Sequence, residues 1–309
     1  MVRIVNIEGV RIAGINSCLP ARIEDNLSRC TEVYGSEKKA TNIIRATGIK
    51  SRRVVDAGTS SLDLCTCAAK ELIRRLDLRG EDFSAVIDVT FTPERIMPCN
   101  ACRIQDRLGL RTDIIAFDIN LACSGWAYGL FVAGQLAKAT NAKVLLLDGD
   151  TQTPYTDRND ASTVPVMADA GTATVVEPME GASAWTFSFL TEGGKGDALT
   201  LPFGGKISMD GLGIFKFVTM DVLYFLRDFL ATVGVTTRDV AAFVPHQANV
   251  FMIQQIAKKL GFDSTKLMIS GDTLGNSSSA TVPTTIAYAQ CRGKLLVSGF
   301  GGGCQHLLV

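Results

Sequence analysis

Histidine is nearly absent from this chain, with only His246 and His306 among 309 residues. That scarcity excludes a histidine-rich metal centre and makes each imidazole a specific candidate. An excess of charge of one sign is missing too. With 31 basic against 31 acidic residues and 20% charged overall, nothing points to nucleic acid or an anionic membrane as partner. No apolar run approaches the ~20 residues that cross a bilayer. The opening MVRIVNIEGVRIAGI reads as two short strands rather than a signal peptide. These absences leave a soluble, cytoplasmic protein that handles small molecules or other proteins. A disulfide framework is also lacking. The nine cysteines are odd in number and scattered through a long chain, so a reducing compartment is expected. Cys99 and Cys102 form the one CxxC. No second pair stands at metal-ligand spacing, so they read as buried thiols and no metal site is expected.

What is present is apolar material, 47% of the chain, enough for a large core. Apolar runs of strand length recur as AVIDVTF (85–91), IIAFDI (114–119), KVLLLDGD (143–150), AAFVPHQ (241–247) and LLVSGFGGG (295–303). Helical spacing fills the intervals at 62–76, 124–138, 219–233 and 249–260, the last ending in Lys258, Lys259 and Gly261. The alternation predicts an α/β fold with buried strands. The turn-rich stretch TQTPYTDRNDASTVP (151–165) divides the chain into halves at 1–160 and 161–309. In each half an apolar strand delivers a reactive residue to a helix start, where α/β proteins gather their ligands.

In the first half that residue is Cys123, between a strand ending near Asp118 and the apolar-spaced SGWAYGLFVAGQLAKA. A thiol at a helix N-terminus is expected to be acidified from ~8.5 toward neutrality and to act as a nucleophile. The other reading is a small buried hydrophobe. In the second half, His246 leaves a buried strand at FVPHQAN, placed like a hydrogen-bond donor or acid/base. Asn276 stands in GDTLGNSSSATVP, a Gly/Ser-rich turn that equally suits a helix cap. The terminal GFGGGCQ (299–305) brings backbone N–H groups within reach of a ligand, as an oxyanion hole requires. No Walker-type or GxGxxG strand-helix motif is present, which disfavours a nucleotide phosphate site.

Taken together and in order, DINLACSGW, VPHQAN, GNSSSATVP and GFGGG resemble the β-ketoacyl-acyl-carrier-protein synthase III family of the thiolase superfamily. ATGIKSRR (46–53), MDGLGIFKFV (209–218) and AKKLG (257–261) extend the likeness over nearly the whole chain. The resemblance implies a five-layered αβαβα fold of two similar halves, a homodimer, and a Cys123-His246-Asn276 triad. The backbone N–H groups of Cys123 and Gly302 would form the oxyanion hole. Met97, Phe251, Asn249 and Phe300 would contact substrate, with Met97 reaching the partner subunit's acyl pocket. The implied reaction is transfer of an acyl group to Cys123, then decarboxylative condensation with malonyl-acyl-carrier protein, needing no metal or redox cofactor.

The departures concern the donor. By alignment, Asn42 and Ala161 replace the tryptophan and arginine that clamp the CoA adenine in the family, and Phe251 replaces a further arginine. Such a loss removes stacking and a forked donor. Two other functions remain open on the same fold, a non-decarboxylating acyltransferase and a non-catalytic partner subunit of a heteromeric synthase.

Overall fold

The computed structural model describes residues 2–301 and the backbone of 304–308. Two five-stranded sheets organise them. In chain order the strands are β1 (Val5–Ile7), β2 (Val10–Cys18), β3 (Phe83–Val89), β4 (Ile115–Ile119), β5 (Lys143–Thr151), β6 (Asp169–Pro178), β7 (Trp185–Leu190), β8 (Ala242–Pro245), β9 (Leu295–Phe300) and β10 (Cys304–Leu308). The first sheet runs β2-β6-β5-β3-β4 and the second β1-β7-β10-β9-β8.

Four strands of each sheet share one pattern. Along β2-β6-β5-β3 the pairings are antiparallel, antiparallel, parallel, and along β7-β10-β9-β8 they are the same. The fifth strands differ: β4 extends one sheet beyond β3, whereas β1 pairs with β7 at the far side of the other. The internal repeat is therefore visible in the backbone. The turn-rich stretch is an excursion between the antiparallel neighbours β5 and β6. β6 is the last strand in chain order of the first sheet, and the irregular segment 179–184 leads from it to β7 of the second.

The strands alternate side chains between two faces, and each face has its own core. Ile87, Val89, Leu146 and Val176 of the first sheet share a buried cluster with Phe187, Val244 and Val297 of the second. Between them lie two central helices, contributing Trp126, Leu130, Val282 and Ile286. The opposite-facing Val86, Leu145 and Val175 pack under an outer helix through Leu62, Ala69 and Leu72. Phe243 and Leu296 pack under a second outer layer through Phe229, Ile253 and Ile256. The order of layers is therefore αβαβα.

The helices used below are α1 (Ser61–Arg75), α2 (Asn100–Arg107), α3 (Gly125–Thr140), α4 (Leu223–Val233), α5 (Val250–Leu260) and α6 (Thr281–Ala289). α3 is apolar on nearly all sides, as a helix between two sheets must be. The helix expected at 219–233 differs in detail. It is preceded by one π turn, Val218–Val222, continuous with a helix at Gly211–Phe217. Among the described residues no helix is long and apolar enough to cross a membrane.

Candidate active site

β4 ends at Ile119, and the turn that follows carries Cys123 to the start of α3. Asp118 fixes this crossing: its carboxylate accepts the N–H groups of Asn100 and Ala101, both at 2.8 Å, and so caps α2. Cys123 is 8% exposed. The acidification expected of a helix start is not found, because burial dominates. The thiol is pushed up to about 12 by desolvation, with the negative charge of Asp150 and Asp148 adding to it. The Ser278 hydroxyl and the residue's own N–H act in the opposite direction.

β8 ends at Pro245, and His246 follows, its N–H donating to Ser298 O at 2.7 Å. The ring is 1% exposed and meets Phe300 edge-on at 5.2 Å. Nδ1 lies 2.7 Å from Thr281 Oγ1, and that hydroxyl, with one proton to give, stands between the ring and Ser278 O at 2.9 Å. Burial lowers the imidazole to about 3. His246 is therefore neutral near pH 7, a hydrogen-bonding group and not a cation.

Asn276 is 5% exposed and is gripped by backbone. Its N–H donates to Val166 O at 2.9 Å, and its carbonyl accepts from Ala168 N at 2.8 Å and from Gln152 Nε2. Gly275 before it has φ +79°, and an added Cβ would fall 2.7 Å from Ala168 Cβ, so the turn requires glycine. Within the side chain, Oδ1 accepts the Ser278 N–H at 2.9 Å. That bond orients the amide so that Nδ2, unpaired among the described residues, is left to donate.

Cys123, His246 and Asn276 thus converge on one turn, 276–281. Asn276 meets it at the Ser278 N–H and His246 through Thr281, and the Ser278 hydroxyl lowers the Cys123 thiol against its burial. Opposite, Gly301 approaches so closely that a Cβ there would sit 2.9 Å from Cys123 Cβ. A cavity of about 430 Å³ includes Gly301, Ile214 and Phe217 in its lining. Gly302, the expected second oxyanion donor, lies outside the described residues.

The other expected contacts are spread out. Asn249 caps α5, accepting Met252 N–H at 2.9 Å, and donates to Ala46 O at 3.3 Å; its side chain is held by the fold. Phe300 is buried at 2% exposure against His246, so it supports the imidazole instead of facing an open cavity. Phe251 is half-exposed on α5. Ile96 and Met97 stand out into solvent, 87% and 80% exposed, between β3 and α2. Asn42 and Ala161 are both exposed.

Sequence reasoning missed a buried acidic cluster behind Cys123. One oxygen of Asp150 accepts from Thr90 Oγ1, Phe91 N–H and both the N–H and the hydroxyl of Thr92. Asp88 accepts from Asn100 Nδ2 at 2.9 Å, and Asp148 accepts from Ser279 Oγ. The second oxygen of each has no partner among the described residues. Burial lifts Asp88 to about 7 and Asp150 to about 6, and Asp148 rises well above its usual value. The available signal was an acid inside an otherwise apolar strand, in AVIDV and LLLDGD.

Two profiles of one family match the chain: 3-oxoacyl-[acyl-carrier-protein] synthase III over residues 117–193, and the C-terminal part of the same synthase over 230–307. A β-ketoacyl-[acyl-carrier-protein] synthase III of Syntrophomonas wolfei is 32% identical, the alignment covering 96% of this chain and 95% of that protein. The crystal structure of a 3-oxoacyl-(acyl-carrier-protein) synthase from Burkholderia xenovorans superposes with a TM-score of 0.94 at 30% identity, covering 100% of this chain and 95% of that one. The synthase III from Aquifex aeolicus gives 0.88 at 30% identity, covering 97% and 99%. With its five layers and repeated sheets, the chain belongs to the β-ketoacyl-[acyl-carrier-protein] synthase III family of thiolase-fold enzymes.

Proposed function

We propose that the protein is a condensing acyltransferase that loads an acyl group on Cys123 and joins it to malonyl-acyl-carrier protein with loss of carbon dioxide. In the first step the Cys123 sulfur attacks the donor thioester. The oxyanion is held by the backbone N–H of Cys123 and that of Gly302, and the departing carrier thiol takes up the proton. In the second, malonyl-carrier protein loses carbon dioxide to give an enolate. His246 Nε2–H and Asn276 Nδ2 donate to its oxygen, and its carbon attacks the acyl-Cys123 carbonyl. The Cys123 sulfur leaves as the thiolate and takes up a proton from solvent, so the products are a 3-oxoacyl-carrier protein and the free Cys123 thiol.

The observation that supports this reading best is the shared turn at 276–281, with a neutral His246 and an Asn276 amide whose NH₂ has no partner among the described residues. A neutral imidazole and an amide stabilise a developing enolate as donors, without competing to protonate it. The steps balance without a metal or redox cofactor. The exposed Ile96–Met97 tip supports a homodimer in which Met97 closes the partner's acyl pocket, and a cytoplasmic setting belongs to the same proposal. At the mouth, Asn42, Ala161 and Phe251 offer no cation to a CoA nucleotide, which favours a donor whose pantetheine arm alone is gripped.

The test is intact mass spectrometry of the protein with a panel of acyl-CoAs and acyl-carrier proteins, followed by malonyl-carrier protein and a carbon dioxide assay. Cys123→Ala is expected to abolish the adduct. His246→Ala and Asn276→Ala are expected to keep acylation and lose decarboxylation. Full-rate acylation of Cys123→Ala would sink the assignment.

A further inference from the structure

One pair of nucleophilic side chains has no part in the chemistry above. The CxxC was expected to be buried, yet Cys102 is exposed and Cys99 partly so. Their Sγ atoms are 3.5 Å apart. Cys99 is the N-cap residue of α2, and Cys102 stands in its first turn. Residues three apart on a helix face one another, and a disulfide needs sulfurs at about 2.0 Å. Small rotations of the two side chains close that gap.

The backbone around the pair is anchored independently of either sulfur. Asp118 caps α2 through Asn100 and Ala101, and Asn100 Oδ1 accepts the Glu94 N–H at 3.2 Å. The helix start therefore keeps its form with the thiols free or joined. A metal reading fails on ligand count, since among the described residues no three His, Cys, Asp or Glu side chains converge on one point.

We propose that Cys99 and Cys102 form a reversible two-electron oxidation site that closes to an internal disulfide by exchange with a small-molecule disulfide. The exposed Cys102 thiolate attacks one sulfur of the oxidant, forming a mixed disulfide and releasing the first small thiol. Cys99 then loses its proton and displaces the second. The protein gives up two electrons and two protons, and the oxidant becomes two thiols. Cys99 is the resolving partner: burial raises it to about 11, while Cys102 faces solvent.

Trypsin cutting after Arg95 and Arg103 releases one peptide, 96–103, that holds both cysteines. The reduced full-length protein is incubated with oxidised glutathione, quenched in acid, alkylated and digested. The expected result is a 96–103 peptide that has lost two hydrogens and resists alkylation, with both changes reversed by dithiothreitol. Cys102→Ser should abolish the loss, and Cys99→Ser should stop at a glutathione adduct on Cys102. The proposal is overturned if wild-type 96–103 stays fully alkylatable or keeps glutathione without closing. It is equally overturned if the cross-link forms between the neighbouring Cys18 and Cys67 while 96–103 stays reduced. None of these readouts depends on the acyl-transfer assignment.

Discussion

Replacing Thr281 by valine removes one hydroxyl from beside the imidazole and keeps the side chain's shape. In the wild type that hydroxyl stands 2.7 Å from His246 Nδ1 and within reach of the Ser278 carbonyl at 2.9 Å. Donation from Nε2 to an enolate requires Nδ1 to be the acceptor, so Thr281 must turn its proton to the ring. In Thr281→Val no hydroxyl is left to hold Nδ1 as an acceptor, so the tautomer that leaves Nε2 bare is no longer disfavoured. A buried hydrogen bond broken on one side costs about 1–3 kcal/mol, roughly a ten- to hundredfold loss of rate. The loss should fall on decarboxylation alone. Carbon dioxide release from malonyl-carrier protein should drop by that factor, while the acyl adduct on Cys123 forms within about twofold of the wild-type rate. Thr281→Ser should recover most of the activity. A folded Thr281→Val protein that decarboxylates at full rate would refute the tautomer argument.

Three further outcomes are expected. Asp88 holds a proton in the fold up to about pH 7, whereas the unfolded chain releases it near 3.8. Its contribution is therefore full below pH 4 and lost as the pH rises through 7. Asp88→Asn removes that term and should gain stability over the wild type between pH 5 and 8, by up to about 4 kcal/mol in denaturant titrations; parallel curves would contradict burial of the acid. His246, lowered to about 3, works in the opposite sense below pH 6.5 and is unchanged in the variant. Gly301→Ala would press a methyl to 2.9 Å from Cys123 Cβ, so acylation followed by intact mass should slow at least about tenfold, with about 1–3 kcal/mol of overpacking; a normal acylation rate would show that the approach is not tight. Asn42→Trp combined with Ala161→Arg should lower the KM for acyl-CoA by about tenfold through stacking and cation–π contact, with no change for acyl-carrier protein. An equal gain with both donors would remove the adenine explanation.

The strands and reactive residues were readable because burial and spacing are local properties. IIAFDI and AAFVP are apolar runs with a special residue just beyond, and β4 and β8 end where expected. The acidity of Cys123 was misjudged because it depends on depth and on Asp148 and Asp150, which approach from another strand. In the sequence Ser278 is one of three serines in a turn that suits a helix cap, and Thr281 carries no signal of its own. Nothing in their spacing reveals that His246, 35 residues away from Thr281, would settle against them. The antiparallel pairing of β6 with β5 and β2, on the far side of the turn-rich stretch, is likewise a long-range choice that turn composition cannot report.

The repeated four-strand pattern has a consequence for how such an enzyme can change. The candidate nucleophile Cys123 follows a strand of the first sheet and His246 a strand of the second, so the proposed site is assembled from both sheets. A substitution beneath either sheet therefore reaches both steps of the proposed cycle, because Asn276 is held by Val166 and Ala168 of the first half. The central helices α3 and α6, packed against each other's neighbours, are where the two histories meet. Selection acting on the choice of acyl group must therefore keep the two copies in register with each other.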